Sequence, residues 1–322
     1  FDSKSLANNS PQIVKLIGKL DRKKLHLTLS KLIQRHESLR TYFVLINDEP
    51  RQKIVEDFDF NIEYFNCSHE KIEGVINSFI RPFDLNKAPL IRCGVIEIEE
   101  NENVLIIDLH HIISDGISGE IMLRDFMDLY NDEEIPELSL QFKDYAEWLQ
   151  REDSQIMISL QKEFWLEEFS SFPEPIELPR DYLRPNKKTH EGEILNIELT
   201  QEHSKQIKHL ADENDVTVYM LLLAVFNIFL SKLCNAKDIT IGIPVAGRQH
   251  DDLEDIIGMF ANTLPIRNFV NRDICFEEFL QSIKTKLLSC LDNQDFPFEE
   301  LVDELSLERD TSRNPLFDIM FV

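Results

Sequence analysis

The amino-acid sequence predicts an α/β (α+β) protein of two lobes, each with mixed sheets and flanking helices. Short apolar runs of extended character alternate with stretches of helical apolar spacing in both halves of the chain. A length of 322 residues fits two compact domains of about 150 residues each. One stretch, Phe172 to Asn186, carries Pro173, Pro175, Pro179 and Pro185 with no clear period, which marks a linker. The predicted organisation is an N-terminal lobe over 1–171, a linker over 172–190 and a C-terminal lobe over 191–322.

Taken in order, Ile13 to Leu16 reads as a first strand. Asp21 is the N-cap of a helix in which Leu25, Leu29, Leu32 and Ile33 recur with helical spacing. The pattern turns extended across 35–43, and Ile54-Val55 and Ile62 to Phe65 read as short strands. Ile72, Val75, Ile76, Phe79 and Ile80 mark a second amphipathic helix. Leu90–Ile98 and Val104–Leu109 form an antiparallel pair around the polar turn Glu99 to Asn103, which puts the second of them inside a sheet. Ile117 to Phe126 is helical, and Phe142 to Trp148 leads into a charged helical stretch ending near Phe169. In the second half Ile194–Leu199 reads as a strand, and Thr200 caps a polar helix. Thr217 caps a nearly all-apolar helix over 218–233, expected to be buried on most sides. Ile239–Ile243 is a strand, Phe276, Phe279, Leu280, Ile283, Leu287 and Leu288 define another helix, and Leu316–Val322 reads as an apolar strand.

Apolar content of 43% suffices for a real core in each lobe. The net charge of −25 excludes nucleic acid or an anionic membrane as default partner, since both need a basic footprint. Cys67, Cys93, Cys234, Cys275 and Cys290 are odd in number, far apart and without a Cys-x-x-Cys pair. They read as reduced thiols in a cytoplasmic protein, with no zinc site. The longest apolar run, Val218–Leu230, falls short of the ~20 residues that span a bilayer. The chain opens on Phe1 and closes on an uncapped apolar strand, so it reads as an excised piece of a longer protein with an incomplete C-terminal lobe.

The chemistry centres on His110-His111-Ile112-Ile113-Ser114-Asp115-Gly116, between the buried strand and a helix. Strand alternation sends neighbouring side chains to opposite faces, so one histidine faces chemistry and the other packing. An Asp-Gly turn at a strand end can anchor an imidazole for catalysis. No Ser-His-Asp or Cys-His nucleophile is indicated, and adjacent histidines that point apart are not a metal site.

Six segments occur in a fixed order: RHESLRTYF (35–43), HHIISDG (110–116), FKDYAEW (142–148), IGMFANTLPIR (257–267), NQDFPFE (293–299) and RDTSRNPL (309–316). Together they resemble the condensation domains of nonribosomal peptide synthetases, enzymes of secondary metabolism and antibiotic biosynthesis. The family's earliest motif would precede Phe1, and its last strands would follow Val322. The resemblance implies two chloramphenicol-acetyltransferase-like lobes in a V with a central tunnel. It implies no cofactor bound by the chain itself: phosphopantetheine arrives on upstream donor and downstream acceptor carrier proteins, with an adenylation domain adjacent. The amine of a carrier-bound aminoacyl thioester then attacks a carrier-bound acyl or peptidyl thioester, with no covalent acyl-enzyme.

The resemblance puts His111 in the catalytic role, with His110 as its structural partner. Gly116 permits close backbone approach and offers an N–H. Asp115 is expected to be architectural, paired with Arg267. Ser118 and Asn262 are positioned to donate hydrogen bonds near the tunnel, or to serve structure alone. Tyr145 and Trp148, three apart on a helix, are expected in the core, and Arg35, Arg40, Arg309 and Arg313 in ion pairs or caps. The rival enzyme is an epimerization domain, which shares the double histidine but needs a second acid/base. Pro244-Val245-Ala246-Gly247-Arg248 supplies none where one is expected. A non-catalytic partner-binding domain of the same fold, a heterocyclization domain and a coenzyme A-dependent acyltransferase are the remaining alternatives.

Overall fold

The computed structural model describes residues 5–99, 101–186, 192–307 and 310–322. The turn residue Glu100, residues 187–191 at the linker's end, and Arg309 lie outside the described residues. Two compact units emerge, Phe1–Arg151 with Arg248–Phe260, and Glu152–Gly247 with Ala261–Val322. The boundary expected over 172–190 is therefore corrected in two ways. The helix beginning at Glu152 buries Trp165 and Phe169 in the second unit's core, so the first unit ends before it. The segment 248–260 belongs to the first unit, which a linear reading cannot anticipate.

The first unit is built on a sheet of four strands, β1 (Asn9–Ile17), β4 (Ile62–Asn66), β5 (Ile91–Glu99) and β6 (Glu102–His110), in the order β1-β6-β5-β4. β6 is central and antiparallel to both neighbours, while β4 and β5 are parallel. Parallel strands need a crossover, and α2 (Ile72–Phe79) lies in it. Helices α1 (Arg22–Arg35) and α3 (Gly116–Tyr130) bury Leu25, Leu29, Leu32, Ile121 and Met122 with Leu105, Ile107 and Leu109 of β6. Phe79 of α2 packs with Val104, Ile106 and Ile96 of the alternate register. With both faces covered, β6 is buried along almost its whole length, which is why Val104–Leu109 reads as an apolar run interrupted only at Asp108. Asp21 caps α1 as expected, accepting from the N–H groups of Lys23 and Lys24 at 3.0 Å. β2 (Thr41–Ile46) and β3 (Glu49–Ile54) form a separate hairpin.

Helix α4 (Phe142–Leu149) corrects the core assignment of Trp148, which is 46% exposed and stacks on Tyr145 at 5.9 Å. The helix is only eight residues long and packs through Phe142 and Tyr145 against Phe260, so the next turn reaches the surface.

The second unit pairs β7 (Asp238–Val245) with β8 (Asn262–Phe269) and surrounds them with α5 (Glu152–Glu168), α6 (Gln201–Glu213), α7 (Val218–Cys234), α8 (Phe276–Leu291) and α9 (Phe298–Glu304). Ile239, Ile241, Leu264 and Ile266 face Leu221, Leu223, Leu280 and Ile283. Thr200 and Thr217 cap α6 and α7, accepting from His203 and Met220 at 3.2 Å. Three expectations need correction here. Helix α7 buries one face only, leaving Leu222, Val225, Phe229 and Leu233 at least a third exposed. Residues 194–199 form no strand, because no described strand pairs with them, and Ile194, Leu195 and Ile197 are exposed. The 316–322 run meets β7 in a single parallel bridge, Gly242 to Met320, rather than a full ladder. Phe317 lies where a side chain at Gly242 would stand, so only glycine admits that approach.

Candidate active site

At the end of β6 the ladder pairs His110 with Asn9, and the His110 N–H donates to the Leu90 carbonyl at 3.0 Å. The His110 side chain is buried, with the edge of Phe83 against it at 6.1 Å between centroids. Its Nδ1 accepts from the Ile112 N–H at 3.1 Å, which leaves the proton of the neutral ring on Nε2. Burial, and then the neighbouring His111, hold this imidazole below the ordinary histidine range. His111 opens a 3₁₀ turn over His111–Ile113, so the strand stops one residue earlier than the alternation argument assumed. Its N–H donates to the Asn8 carbonyl at 2.7 Å, its carbonyl accepts from the Ser114 N–H at 3.3 Å, and its side chain is exposed. One histidine of the pair is buried and one faces solvent.

Asp115 is the N-cap of α3. Its Oδ1 accepts from the Ser118 N–H at 2.9 Å and the Ser118 hydroxyl at 2.8 Å, and its Oδ2 from the Phe260 N–H at 3.1 Å. The guanidinium that meets it belongs to Arg248, with Nη1 to Oδ2 at 2.7 Å and Nη2 to Oδ1 at 3.1 Å. The two side chains are 2% and 3% exposed, so this is a buried bidentate pair. Burial pushes the carboxyl upward, but the bonds from Arg248 and Ser118 outweigh it and hold Asp115 below the usual carboxylate range.

The expected partner, Arg267, is a correction. It lies on β8 in the second unit, where Nη2 meets Asp238 Oδ2 at 2.7 Å. The physical requirement was sound, since a buried carboxylate needs a cation, but two arginines could answer it. Arg248, just after β7 and in the segment that folds with the first unit, is the one that does.

Gly116 starts α3, is exposed, and has no protein atom within 4 Å of where a Cβ would stand. The Ser118 hydroxyl is committed to structure: it sits on Asp115 and the Gly258 carbonyl and accepts from the Gly258 N–H at 3.1 Å. Asn262 is likewise structural, its amide donating to the Gln294 and Phe296 carbonyls at 2.8 Å within the second unit.

These contacts gather several of the six motifs around residues 256–260. The Ser38 hydroxyl holds the Ile257 carbonyl at 2.6 Å, Ser118 holds Gly258, Asp115 holds Phe260, and Phe142 meets the Phe260 ring at 4.9 Å. Arg35 and His36 bond the fully buried Asp125 of α3 at 2.8 and 2.9 Å, tying the end of α1 to the helix behind the motif. Arg40 donates to the Val55 carbonyl, and Arg313 pairs with Asp318 at 3.0 Å, so these arginines are structural. The five cysteines are unpaired, and among the described residues no group of three or more His, Cys, Asp or Glu is arranged to hold a metal ion.

A family model described as Condensation domain matches residues 1–322, the whole chain. The chain belongs to the condensation-domain family. This condensation domain is 43% identical over 321 residues to gramicidin S synthase 2 of Brevibacillus brevis, covering 100% of the chain and 7% of that protein. It is 41% identical over 322 residues to bacitracin synthase 3 of Bacillus licheniformis, covering 100% of the chain and 5% of that protein. The chain thus spans a small fraction of the length of the relatives it matches. Among solved structures it is similar to the X-domain from teicoplanin biosynthesis, with a TM-score of 0.88 and 25% identity, covering 97% of this chain and 72% of that one. A four-domain nonribosomal peptide synthetase bound to AMP and glycine matches with a TM-score of 0.86 and 25% identity, covering 98% of this chain and 24% of that one. The condensation domain therefore has the chloramphenicol-acetyltransferase-like fold, and its relatives are nonribosomal peptide synthetases.

Proposed function

We propose that this condensation domain forms peptide bonds between carrier-bound thioesters. The α-amine of an acceptor aminoacyl thioester attacks the carbonyl carbon of a donor acyl or peptidyl thioester. The C–N bond forms, the C–S bond breaks, the donor's thiol leaves with a proton, and the lengthened chain stays on the acceptor carrier. The partners are upstream and downstream carrier proteins, each presenting a phosphopantetheine arm, and an adjacent adenylation domain. The great length of the related synthases supports that context. The cytoplasm is the assigned compartment, in keeping with five unpaired thiols. Among the described residues no single helix is long and apolar enough to cross a membrane.

The observation that carries the reading is the exposed imidazole of His111, set on a turn whose other polar side chains are buried or engaged. An α-amine has a pKa of about 7.7–8.0, so its deprotonation near neutral pH costs little. The reaction then asks for orientation within about 3–3.5 Å and for stabilisation of the tetrahedral intermediate, tasks for one positioned group. Epimerization asks for a base on one face of the α-carbon and a proton donor on the other. Asp115 cannot be the second group while it is clamped by Arg248, Ser118 and Phe260.

The test is single-turnover reaction of loaded donor and acceptor carriers in deuterated water, with the complete protein and its His111→Ala variant. Condensation predicts amide product, no α-deuterium beyond the enzyme-free control, and loss of product in the variant with an unchanged circular dichroism spectrum. Rapid α-deuteration with inversion and no amide would establish epimerization instead.

A further inference from the structure

On the sheet face that carries His110 the cross-strand register sets Asn9 opposite His110 and Arg92 opposite Asp108. Directly opposed residues share a face, so these four side chains form one polar patch behind the reactive turn. Asp108 is fully buried. Its Oδ2 accepts from Asn9 Nδ2 at 2.8 Å and, at a longer 3.3 Å, from Arg92 Nη1, while its Oδ1 has no hydrogen-bond partner. The second amide proton of Asn9 goes to the Arg81 carbonyl at 3.0 Å. Arg92 also donates to the carbonyls of Arg81 and Pro82, and its guanidinium lies over Phe83 at 3.7 Å. Phe83 in turn abuts His110.

The amide of Asn9 thus joins the start of β1, the end of β6 and the loop that enters β5. The residue before it, Asn8, supplies the carbonyl that fixes the His111 N–H. A buried carboxylate with one unsatisfied oxygen is costly in a strand that an apolar residue would serve better. Its placement two residues before His110 makes sense if the bond it forms with Asn9 matters to the turn that follows.

We propose that Asn9 is a positioning residue for His111: by bonding Asp108 and Arg81 it fixes the Asn8 carbonyl, and through it the backbone from which the His111 imidazole projects. The proposal rests on the role given to His111 above. Asn9 touches no reacting atom. Removing its side chain leaves Asp108 with the long contact to Arg92 alone and frees the lead into β1, so the Asn8 carbonyl no longer has a fixed place.

The test uses the complete protein with Asn9→Ala and with the exchange Asn9→Asp/Asp108→Asn. The exchange restores an amide-to-carboxylate bond between the same two positions and gives up the bond to the Arg81 carbonyl, to which a carboxylate cannot donate, so its recovery reads the bond between positions 9 and 108 by itself. Hydrogen–deuterium exchange of the peptide spanning 108–116 reads the backbone directly, without any substrate. Asn9→Ala should speed amide exchange there about tenfold, the effect of one lost net hydrogen bond. Turnover should fall at least as much, with the acceptor KM unchanged, and the double variant should recover both to within about threefold. Parental exchange and turnover in Asn9→Ala would overturn the proposal, as would a double variant that exchanges and turns over like Asn9→Ala. If Asn9→Ala fails to fold, the double variant alone decides on the same readouts, against the parent. If His111→Ala turns over normally, the peptide-bond reading fails, whereas the exchange data still test the backbone claim.

Discussion

Replacing Asp115 by alanine takes away the acceptor on which Ser118, Phe260 and Arg248 converge, and leaves a guanidinium that is 3% exposed without its carboxylate. Breaking a buried pair from one side costs about 3–5 kcal/mol, because the remaining charge stays out of water. At about 2–4 °C per kcal/mol for domains of this size, Asp115→Ala should melt roughly 6–20 °C below the parent. Arg248→Ala should cost less, since the carboxylate keeps its bonds from Ser118 and the Phe260 N–H. The double variant should be more stable than the sum of the singles by about 0.5–3 kcal/mol, the range for residues in direct contact. The assay is thermal and urea unfolding across the cycle, followed by circular dichroism. At a temperature where Asp115→Ala is fully folded, turnover should stay within about tenfold of the parent, because a general acid or base would be worth 10²–10⁴-fold. The pair's contribution has a defined pH window. The folded carboxyl titrates below its ordinary range, so its stabilisation is complete above about pH 4 and fades as the pH falls through the lower folded value. The parent-to-variant difference should therefore be flat between pH 5 and 8. A variant melting within about 2 °C of the parent, or an additive cycle, would refute the clamp.

Gly116→Ala adds a methyl where no protein atom lies within 4 Å, so the melting temperature should hold within about 2 °C while turnover drops at least tenfold. Full turnover would reduce the glycine to a turn residue. For His36, burial outweighs the Asp125 hydrogen bond and keeps the imidazole below its ordinary range. The unfolded chain then takes up a proton near pH 6.5 that the folded one refuses, so stability should fall as the pH drops below that value. The urea midpoint of His36→Asn between pH 5 and 8 should lose this slope relative to the parent.

Much of the fold was legible because its cause is local. β6 announces itself through the apolar stretch Val104–Ile107 since α1 and α3 cover one face and Phe79 of α2 the other. Asp21, Thr200 and Thr217 cap helices where a short polar side chain precedes helical spacing. What failed depends on partners that spacing does not carry. The period of α7 is apolar all round, yet its burial is decided by neighbours, and one face has none among the described residues. The 194–199 run has strand composition, but a strand exists only where another pairs with it. The site divides the same way. One buried and one outward histidine, and an Asp115 that needs a cation, are legible in one heptapeptide, whereas the choice between Arg248 and Arg267 rests on Arg248 lying in the 248–260 segment that folds with the first unit.

The heptapeptide divides into buried side chains that hold the turn and one exposed ring, to which the proposed function assigns the reaction. His110, Ser114 and Asp115 are buried, and Asp115 with Ser118 binds the turn to residues 256–260. His111 is fixed at both ends of its peptide unit, by Asn8 at the N–H and by Ser114 at the carbonyl, while its ring stays in solvent. An imidazole carried this way loses little on reaching a substrate, because the backbone has already been ordered by folding. The same arrangement explains why a carboxylate four residues away need not act on the ring. Its bonds go to the helix start, to Arg248 and to Phe260, and each of them shapes the loop instead of the proton. Chemistry that needs one oriented group can be run from such a turn, and chemistry that needs an acid and a base on opposite faces of a carbon would require a second free group that the heptapeptide does not supply.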